Sequence, residues 1–212
     1  MKHATRKYWE KFSKTLKIWR EEDWEYVPPT PVEDLERFER EWDLPLPESY
    51  KAFLQTFGPG ELARVFRFMA PYCPDKSADL VPLNRGIRKD ILKGETYDSR
   101  AEEDPDRMLG LLYISNSFYT DHEFVFDTAD VTDNAKHEYA VYHVPRSCSS
   151  PLFKVADCFT GFIEDFCLGD DYERLFQCPF PAGSNPDDEN HEHHIRRSFS
   201  PVFMRGKRKK KK

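Results

Sequence analysis

Apolar side chains change their spacing along the chain, and this change constrains the fold more than any other feature of the sequence. In the first third they recur at steps of three and four residues, which indicates amphipathic helices. In the middle, runs rich in Val, Ile, Phe and Tyr indicate strands. Helical spacing returns after Asp157. Helices at both ends with strands between them predict an α+β fold rather than alternating βαβ units.

The periodicity predicts three helices near the N-terminus. The first covers residues 3–20 and carries four large apolar side chains on one face. These side chains are Tyr8, Phe12, Leu16 and Trp19. The second helix begins after Thr30, which we expect to cap it together with Glu33. The third begins at Pro47 and ends at Gly58.

Strand-like runs fill the centre of the chain. They cover residues 62–69, 108–115, 123–127, 138–144 and, more briefly, 152–155. We expect Asn84 to cap a helix after the first run and Asp157 to cap a final, phenylalanine-rich helix. The polar segment between the third and fourth runs predicts an antiparallel hairpin. These elements predict a single, mainly antiparallel sheet flanked by N-terminal and C-terminal helices.

The composition changes abruptly near Cys178. The residues beyond it are rich in Pro, Asn, Gly and charge, and they have too little apolar surface to offset the entropy of ordering. We therefore predict one domain over residues 1–177 and a flexible, disordered basic tail over residues 178–212. Three apolar residues of this tail could dock locally, namely Phe199, Val202 and Phe203.

Charge is strongly segregated along the sequence. Residues 1–20 carry seven Lys or Arg and one Glu, and residues 205–212 carry seven Lys or Arg and no acid. The residues between them carry 18 basic and 37 acidic side chains. Such an acidic body repels nucleic acid and attracts basic protein surfaces. The basic tail has the opposite preference, and we regard nucleic acid or an anionic surface as its possible contact.

Five acids bracket the predicted hairpin and are our candidates for contact with a partner. They are Asp121, Glu123, Asp127, Asp130 and Asp133. An acidic surface accelerates the encounter with a basic partner and orients it. The same acids are also typical of an ordinary solvated face, and a general acid–base pair among them is a third interpretation.

The sequence carries no motif of a catalytic or cofactor-binding site. It lacks GxSxG, GxxxxGK[ST] and GxGxxG. Cys158 and Cys167 fall beside predicted core phenylalanines, where thiols are inert. The cluster His191–His194 lies in the predicted tail, where nothing would orient the imidazoles, so we expect only adventitious metal binding there. We therefore predict no enzymatic activity, no cofactor and no specific metal site.

Compartment is suggested by what the sequence lacks. No stretch approaches the roughly 18 apolar residues of a membrane helix. The basic N-terminus has neither the apolar run nor the cleavage site of a secretory signal. The five cysteines, an odd number without paired spacing, fit reduced thiols. We expect a cytoplasmic protein without a membrane span.

Residues 32–60 read VEDLERFEREWDLPLPESYKAFLQTFGPG. This succession of an acidic amphipathic helix, an LP connection, a PESYKAFL helix and a Gly-containing turn resembles the N-terminal signature of the SUKH superfamily. That group includes the Smi/Knr cell-wall-assembly regulators. LLYISNSFYTDHEFVFDT resembles its central strand pair, and VADCFTGFIEDF resembles its closing helix, with Cys158 where a small polar residue is usual. The resemblance covers about residues 30–168.

The resemblance implies an α+β fold, no shared catalytic constellation, and a frequent bacterial role as an immunity protein. Such a protein binds and neutralises a cognate toxin, often a nuclease or a nucleic-acid deaminase. Toxins of that kind need basic surfaces, which agrees with the acidic body. Our leading hypothesis is a non-enzymatic module that binds a basic toxin domain. The alternative is an intracellular regulator or scaffold that binds a housekeeping partner.

Overall fold

An eight-stranded sheet organises the protein. The structure is a computed structural model that describes residues 4–20, 24–95, 99–117, 122–145, 150–172 and 197–208. The strands are β1 (Lys17–Ile18), β2 (Trp24–Tyr26), β3 (Gly60–Leu62), β4 (Phe66–Phe68), β5 (Leu111–Ser117), β6 (Glu123–Asp133), β7 (Glu138–Val144), β8 (Phe153–Ala156), β9 (Ser198–Pro201) and β10 (Phe203–Arg208). The large sheet has the order β1-β9-β3-β4-β5-β6-β7-β8. Only the pair β1–β9 is parallel, and β2 pairs with β10 in a separate antiparallel ribbon.

Helices cover both faces of the sheet. They are α1 (Arg6–Ser13), α2 (Val32–Trp42), α3 (Glu48–Phe57), α4 (Leu80–Lys93), α5 (Ser99–Glu103), α6 (Pro105–Leu109) and α7 (Phe159–Gly161), the last of which continues as a π-helical segment, Phe162–Cys167. Residues of α1, α2, α3 and α7 share one core with the sheet, and α4 and α6 pack on the opposite face. The predicted α+β fold, with a mainly antiparallel sheet and helices before and after it, is confirmed.

The larger core is built from aromatic rings. Trp9 of α1 is fully buried, lies edge-on to Phe53 at 5.4 Å between centroids, and donates its indole N–H to the carbonyl oxygen of Ser49 at 3.0 Å. Phe53 in turn meets Phe68 of the sheet and Phe159 of α7, both at 5.2 Å. Edge-to-face pairs of this kind are favoured beyond the area that they bury. The periodicity of α1 predicted the neighbours of Trp9 but not Trp9 itself.

A buried carboxylate joins the β6–β7 hairpin to the start of α3. Glu138 is fully buried, and its two carboxylate oxygens accept hydrogen bonds from the backbone N–H of Ser49 at 3.0 Å and from the Ser49 hydroxyl at 2.7 Å. Beside it, the N–H of Glu48 donates to the carbonyl oxygen of Lys136 at 3.1 Å. Negative charge is stabilised at a helix N-terminus, where backbone N–H groups have no partner within the helix. Glu138 therefore fixes the hairpin against α3.

The first helix is shorter than the periodicity predicts. It ends at Ser13 rather than Arg20. The hydroxyls of Ser13 and Thr15 donate to backbone carbonyls of the preceding turn, and the N–H of Lys17 donates to the carbonyl oxygen of Arg197 at 2.8 Å. Residues 17–18 thus form a strand because a partner distant in sequence offers hydrogen bonds. The spacing of apolar side chains within residues 3–20 cannot indicate such a distant partner.

Two of the predicted helix caps also differ from the structure. Thr30 does not cap α2: its hydroxyl is buried without a hydrogen-bond partner in the described structure, and Pro31 occupies the cap position. Asn84 lies inside α4, which Asp79 caps, and its amide bridges to both backbone groups of Tyr113 on β5.

Three predicted strand boundaries also change. The strand predicted over residues 62–69 is replaced by a hairpin of β3 and β4, which begins at Gly60, ends at Phe68 and turns at Ala63 and Arg64, both with positive φ. Residues 108–115 divide between the end of α6 and β5. The strand predicted over residues 123–127 continues to Asp133, which shortens the hairpin turn.

Part of the predicted tail lies inside the sheet. Ser198–Pro201 is inserted as β9 between β1 and β3. Phe199, one of the residues expected to dock, is 1% exposed and packs on Phe57 at 5.0 Å between centroids. Gly60 makes room for it, because a Cβ there would collide with the Phe199 ring. Residues 198–201 and 203–208 of the predicted tail are thus described as strands, whereas residues 173–196 and 209–212 lie outside the described part of the chain. The division into a domain over residues 1–177 and a flexible tail stays a prediction.

Phe199→Ala tests whether β9 belongs to the core. We expect it to lower the free energy of unfolding by about 3–5 kcal/mol, the usual cost of removing a buried phenyl ring. Phe153→Ala is the matched control: Phe153 is 45% exposed, so the loss should not exceed about 1 kcal/mol. Urea denaturation followed by tryptophan fluorescence measures both variants. Equal, small losses would show that residues 198–201 do not hold the fold together.

Glu138→Gln tests the clasp between the hairpin and α3. The amide keeps the size of the side chain but replaces one acceptor oxygen by a donor, so a charge-assisted hydrogen bond to Ser49 is lost. We expect the free energy of unfolding to fall by about 1.5–3 kcal/mol. Glu36→Gln, at a side chain that is 60% exposed, should change it by less than about 0.5 kcal/mol. If the two variants unfold at the same urea concentration, the buried carboxylate does not stabilise the fold.

Candidate protein-binding surface

The five acids singled out in the sequence do not form one cluster. Asp121 lies outside the described residues. Glu123 begins β6, whereas Asp130 and Asp133 lie near its end. Seven residues of strand separate Glu123 from Asp130, a distance of about 23 Å. Any partner that contacts one end of β6 therefore meets different neighbours from a partner at the other end.

Asp127 is buried and makes its contacts within the protein. It is 4% exposed, and its carboxylate faces the Arg107 guanidinium of α6 at 3.3 Å. The same carboxylate accepts a hydrogen bond from the N–H of Ala129 at 3.1 Å. A side chain engaged in this way holds α6 and the bend of β6 together. Asp133 likewise accepts from the N–H of Ala135 in the hairpin turn at 2.9 Å.

Asp130 connects β6 to the edge of the sheet. The ammonium group of Lys154 on β8 lies 3.1 Å from Asp130 and 2.8 Å from Asp157, so it bridges the two carboxylates. Partial burial alone would raise the pKa of Asp130, but hydrogen bonds from Tyr142 and Lys154 outweigh it and lower that pKa. The pKa of Lys154 is raised, first by its hydrogen bond to Asp157 and then by Asp130. The lysine is thus held charged between two acids.

A groove beside β8 is lined by carboxylates. It has a volume of about 460 Å³ and runs between the strand and the helical segment that follows α7. Its acidic lining residues are Asp157, Glu164, Asp165 and Asp171, and no Lys or Arg is among its described lining residues. We call these four residues together with Asp130 the acidic edge. A second groove of similar size, between α1, α2 and α3, is lined by both signs of charge, including Glu36, Glu39, Lys51 and Lys136.

The acidic edge was missed at the level of sequence because its residues come from separate elements. Asp157 was expected to cap the final helix, yet Cys158 holds that position and its Sγ accepts from the N–H of Gly161 at 3.5 Å. The side chain of Asp157 is thereby left to face Lys154. The sequence FIEDF shows that the final helix is rich in acids, but the position of Asp157 and Lys154 beside Asp130 depends on the pairing of β7 with β8.

The sheet ends at β8 in the described structure. No described strand lies beyond it, and Phe153 on this strand is 45% exposed. Edge strands present unpaired backbone groups and are commonly protected by charged residues, especially lysine. Lys154 is the lysine on this edge strand, and Asp130 and Asp157 offset its charge. The edge therefore presents net negative charge beside an exposed aromatic ring.

Cysteine reactivity finds little support in the structure. Burial raises the pKa of Cys73 to about 11, and it raises the pKa of Cys158 and, further, that of Cys167. A thiol attacks as its thiolate, so these side chains are poor nucleophiles. Cys148, Cys178 and the cluster His191–His194 lie outside the described residues. Within the described ranges, no group of three or more His, Cys, Asp or Glu side chains is placed to hold a metal ion.

Two histidines form a close pair at the other end of β6. His143 Nε2 lies 2.8 Å from His122 Nδ1, so one ring donates and the other accepts. His143 is 5% exposed. Burial, with the charges of His122 and Arg100, lowers the pKa of His143 to about 4. His143 is therefore neutral at pH 7, and its burial destabilises the fold in acid, where the unfolded chain binds a proton at this residue and the folded protein does not.

Fold and surface together define an α+β domain whose sheet ends in a strongly acidic edge. The chain belongs to the SMI1 / KNR4 family (SUKH-1), whose family model matches residues 29–165, more than half of the chain. The resemblance seen in the sequence is thereby confirmed. A search among curated proteins and a search among solved structures each find no match. Across the described residues, every helix is too short or too polar to cross a membrane.

His143→Gln tests whether the buried, neutral His143 makes the stability of the fold depend on pH. The folded protein binds the His143 proton only near pH 4, whereas the unfolded chain binds it near pH 6.5. Stability from this group is therefore present above pH 6.5 and is lost as the pH falls towards 4. Between about pH 7.5 and about pH 5 the native protein should lose about 2 kcal/mol more than the variant. Urea denaturation at both pH values measures this difference, and parallel losses would exclude His143 as its source.

Proposed function

We propose that the protein is a non-enzymatic immunity protein that acts in the cytoplasm by binding and neutralising a toxin domain of the nuclease or nucleic-acid deaminase type. The observation that carries the proposal is the groove beside β8, where four carboxylates line the surface without a described Lys or Arg among them. Membership of the SMI1 / KNR4 family supports a binding role. The partner is expected to be basic where it meets this groove.

Electrostatics explains why such a surface suits such a partner. Enzymes that act on nucleic acid bind phosphate through Lys and Arg. A rigid array of carboxylates can occupy the same cationic surface and so exclude the substrate. Complementary charge also steers the encounter and raises the association rate by about 10- to 1,000-fold at low salt. Fast capture matters for an inhibitor that must reach a toxin before the toxin reaches its substrate.

Three features make the acidic edge preferable to the other acids of the chain. Four of its five carboxylates line one groove, whereas Glu123, Asp127 and Asp133 are spread along β6. Its one adjacent lysine, Lys154, is already offset by Asp130 and Asp157. Phe153 supplies an exposed apolar ring on the same edge strand as Lys154, and buried aromatic anchors contribute much of the affinity in protein interfaces. Asp130, predicted from the sequence, is retained in the proposed contact.

Co-expression with a toxin tests the function directly. The genes beside the gene for this chain are first searched for a nuclease or deaminase domain, and such a domain is produced in a bacterial host with and without this protein. We expect the protein to restore growth and to form a complex with the purified toxin domain. Failure to protect, combined with stable binding to a housekeeping protein, would favour the regulator or scaffold hypothesis instead.

The triple variant Glu164→Gln, Asp165→Asn, Asp171→Asn tests the surface. Relative to the native protein, we expect its association rate constant with the toxin domain to fall by about tenfold at low salt. The difference should vanish near 1 M salt, where charges are screened over about 3 Å. Stopped-flow fluorescence measures these rates.

The matched control neutralises three exposed acids elsewhere, Glu36→Gln, Asp43→Asn and Asp90→Asn, on and beside α2 and on α4. It removes the same number of charges and should leave the association rate within about twofold of the native value. If both variants slow association equally, net charge rather than the acidic edge governs the encounter. If neither does, the toxin docks elsewhere.

A further inference from the structure

The two basic ends of the chain meet at one end of the sheet. β1 pairs in parallel with β9, with Lys17 opposite Ser198, and the N–H of Trp19 donates to the carbonyl oxygen of Phe199 at 2.9 Å. A few residues further on, β2 pairs with β10. Residues 17–20 and residues 205–208, which are basic in the sequence, are thereby brought to the same end of the molecule. This end is opposite to the acidic edge at β8.

Aromatic rings hold the cations of this end in place. The ammonium of Lys17 lies 3.9 Å from the centre of the Trp19 ring, and the Arg64 guanidinium lies 4.8 Å from it. The Arg20 guanidinium lies 5.9 Å from the Tyr26 ring. Attraction between a cation and the face of an aromatic ring contributes about 0.5–1 kcal/mol at exposed sites. We call Lys17, Arg20, Arg64 and the exposed Arg197 the basic end.

Arg64 reaches Trp19 through a tight turn. Ala63 and Arg64 between β3 and β4 have φ values of 55° and 56°. Left-handed backbone is unfavourable for residues other than Gly, Asn and Asp. The turn is anchored by the N–H of Ala63, which donates to the carbonyl oxygen of Ser198 at 2.8 Å. The C-terminal strand thus helps to hold the guanidinium over the ring.

Nearby acids offset only part of this charge. Glu61 is paired with Arg67 at 2.9 Å, and Glu25 is the described acid of β2. Three further acids, at positions 21–23, lie outside the described residues. Against them stand the four residues of the basic end. Except for Arg64, all of these positive residues fall outside the family match over residues 29–165.

We infer that the basic end binds the phosphate backbone of nucleic acid. Cations held at fixed positions lose little entropy when they meet a phosphate, and the release of counterions from the nucleic acid supplies the driving force. A membrane is the less suitable anion, because binding in the interface also needs large apolar side chains to insert. Ile18, at 39%, is the exposed large apolar side chain described on β1. This inference does not depend on the proposed toxin partner.

Fluorescence anisotropy with a short labelled oligonucleotide, single-stranded or duplex, tests the inference on the full chain. We expect salt-dependent binding to at least one of the two forms. Lys17→Gln with Arg64→Gln should weaken binding and, on single strands, reduce the slope of log affinity against log salt by about 1.4, or about 0.7 for each lost phosphate contact. Lys17→Arg with Arg64→Lys, which keeps both charges, should restore binding.

Lys89→Gln with Lys93→Gln is the matched control, because it removes two exposed cations from α4. It should leave affinity and salt slope unchanged. Thermal unfolding of each variant identifies any loss of affinity that comes from loss of the fold. No binding to either form at low salt, equal weakening by both double variants, or tighter binding to anionic phosphatidylserine vesicles than to the oligonucleotides would overturn the inference.

Discussion

The buried carboxylate of Glu138 sets the relation between the helices and the sheet. A charge removed from water is tolerated only when hydrogen-bond donors surround it, and the first turn of α3 supplies two through Ser49. This pairing fixes where α3 begins above the sheet. Tyr50 and Phe53 then fall onto Phe126 and Phe68, and Trp9 closes the cluster from α1. The contact between Glu138 and Ser49 therefore sets which aromatic side chains of α3 meet the sheet.

Local patterns in the sequence predict the parts of this fold that local physics decides. α2 and α3 follow from helical spacing, and β7 follows from a run of apolar residues bounded by turns. Two of the misplaced assignments involve partners distant in sequence. Residues 17–18 become a strand because Ser198 and Phe199 lie beside them, and Asn84 is drawn into a helix interior because Tyr113 satisfies its amide. No window of neighbouring residues contains that information.

The candidate surface also combines features that the sequence shows with features that depend on contacts between distant residues. Asp127 and Asp130 are three residues apart on one strand and look alike in the sequence. Asp127, however, is buried and paired with Arg107, whereas Asp130 is paired with Lys154 at the edge of the sheet. Charge segregation was visible from composition, and it correctly indicated an acidic body. Which carboxylates converge depends on the bend of β6 and on the pairing of β8, because Lys154 joins Asp130 to Asp157 only in three dimensions.

The position of β9 has a consequence for how the protein is made. Among the described strands, β1 joins the sheet through β9, which follows it in the sequence by about 180 residues. Synthesis proceeds from the N-terminus, so the strand at Lys17 stays unpaired until residues 198–201 have been made. The same segment brings Phe199 to its place above Gly60. A chain cut short by premature termination would expose apolar surface and an open sheet edge, and quality-control proteases would recognise it as incomplete.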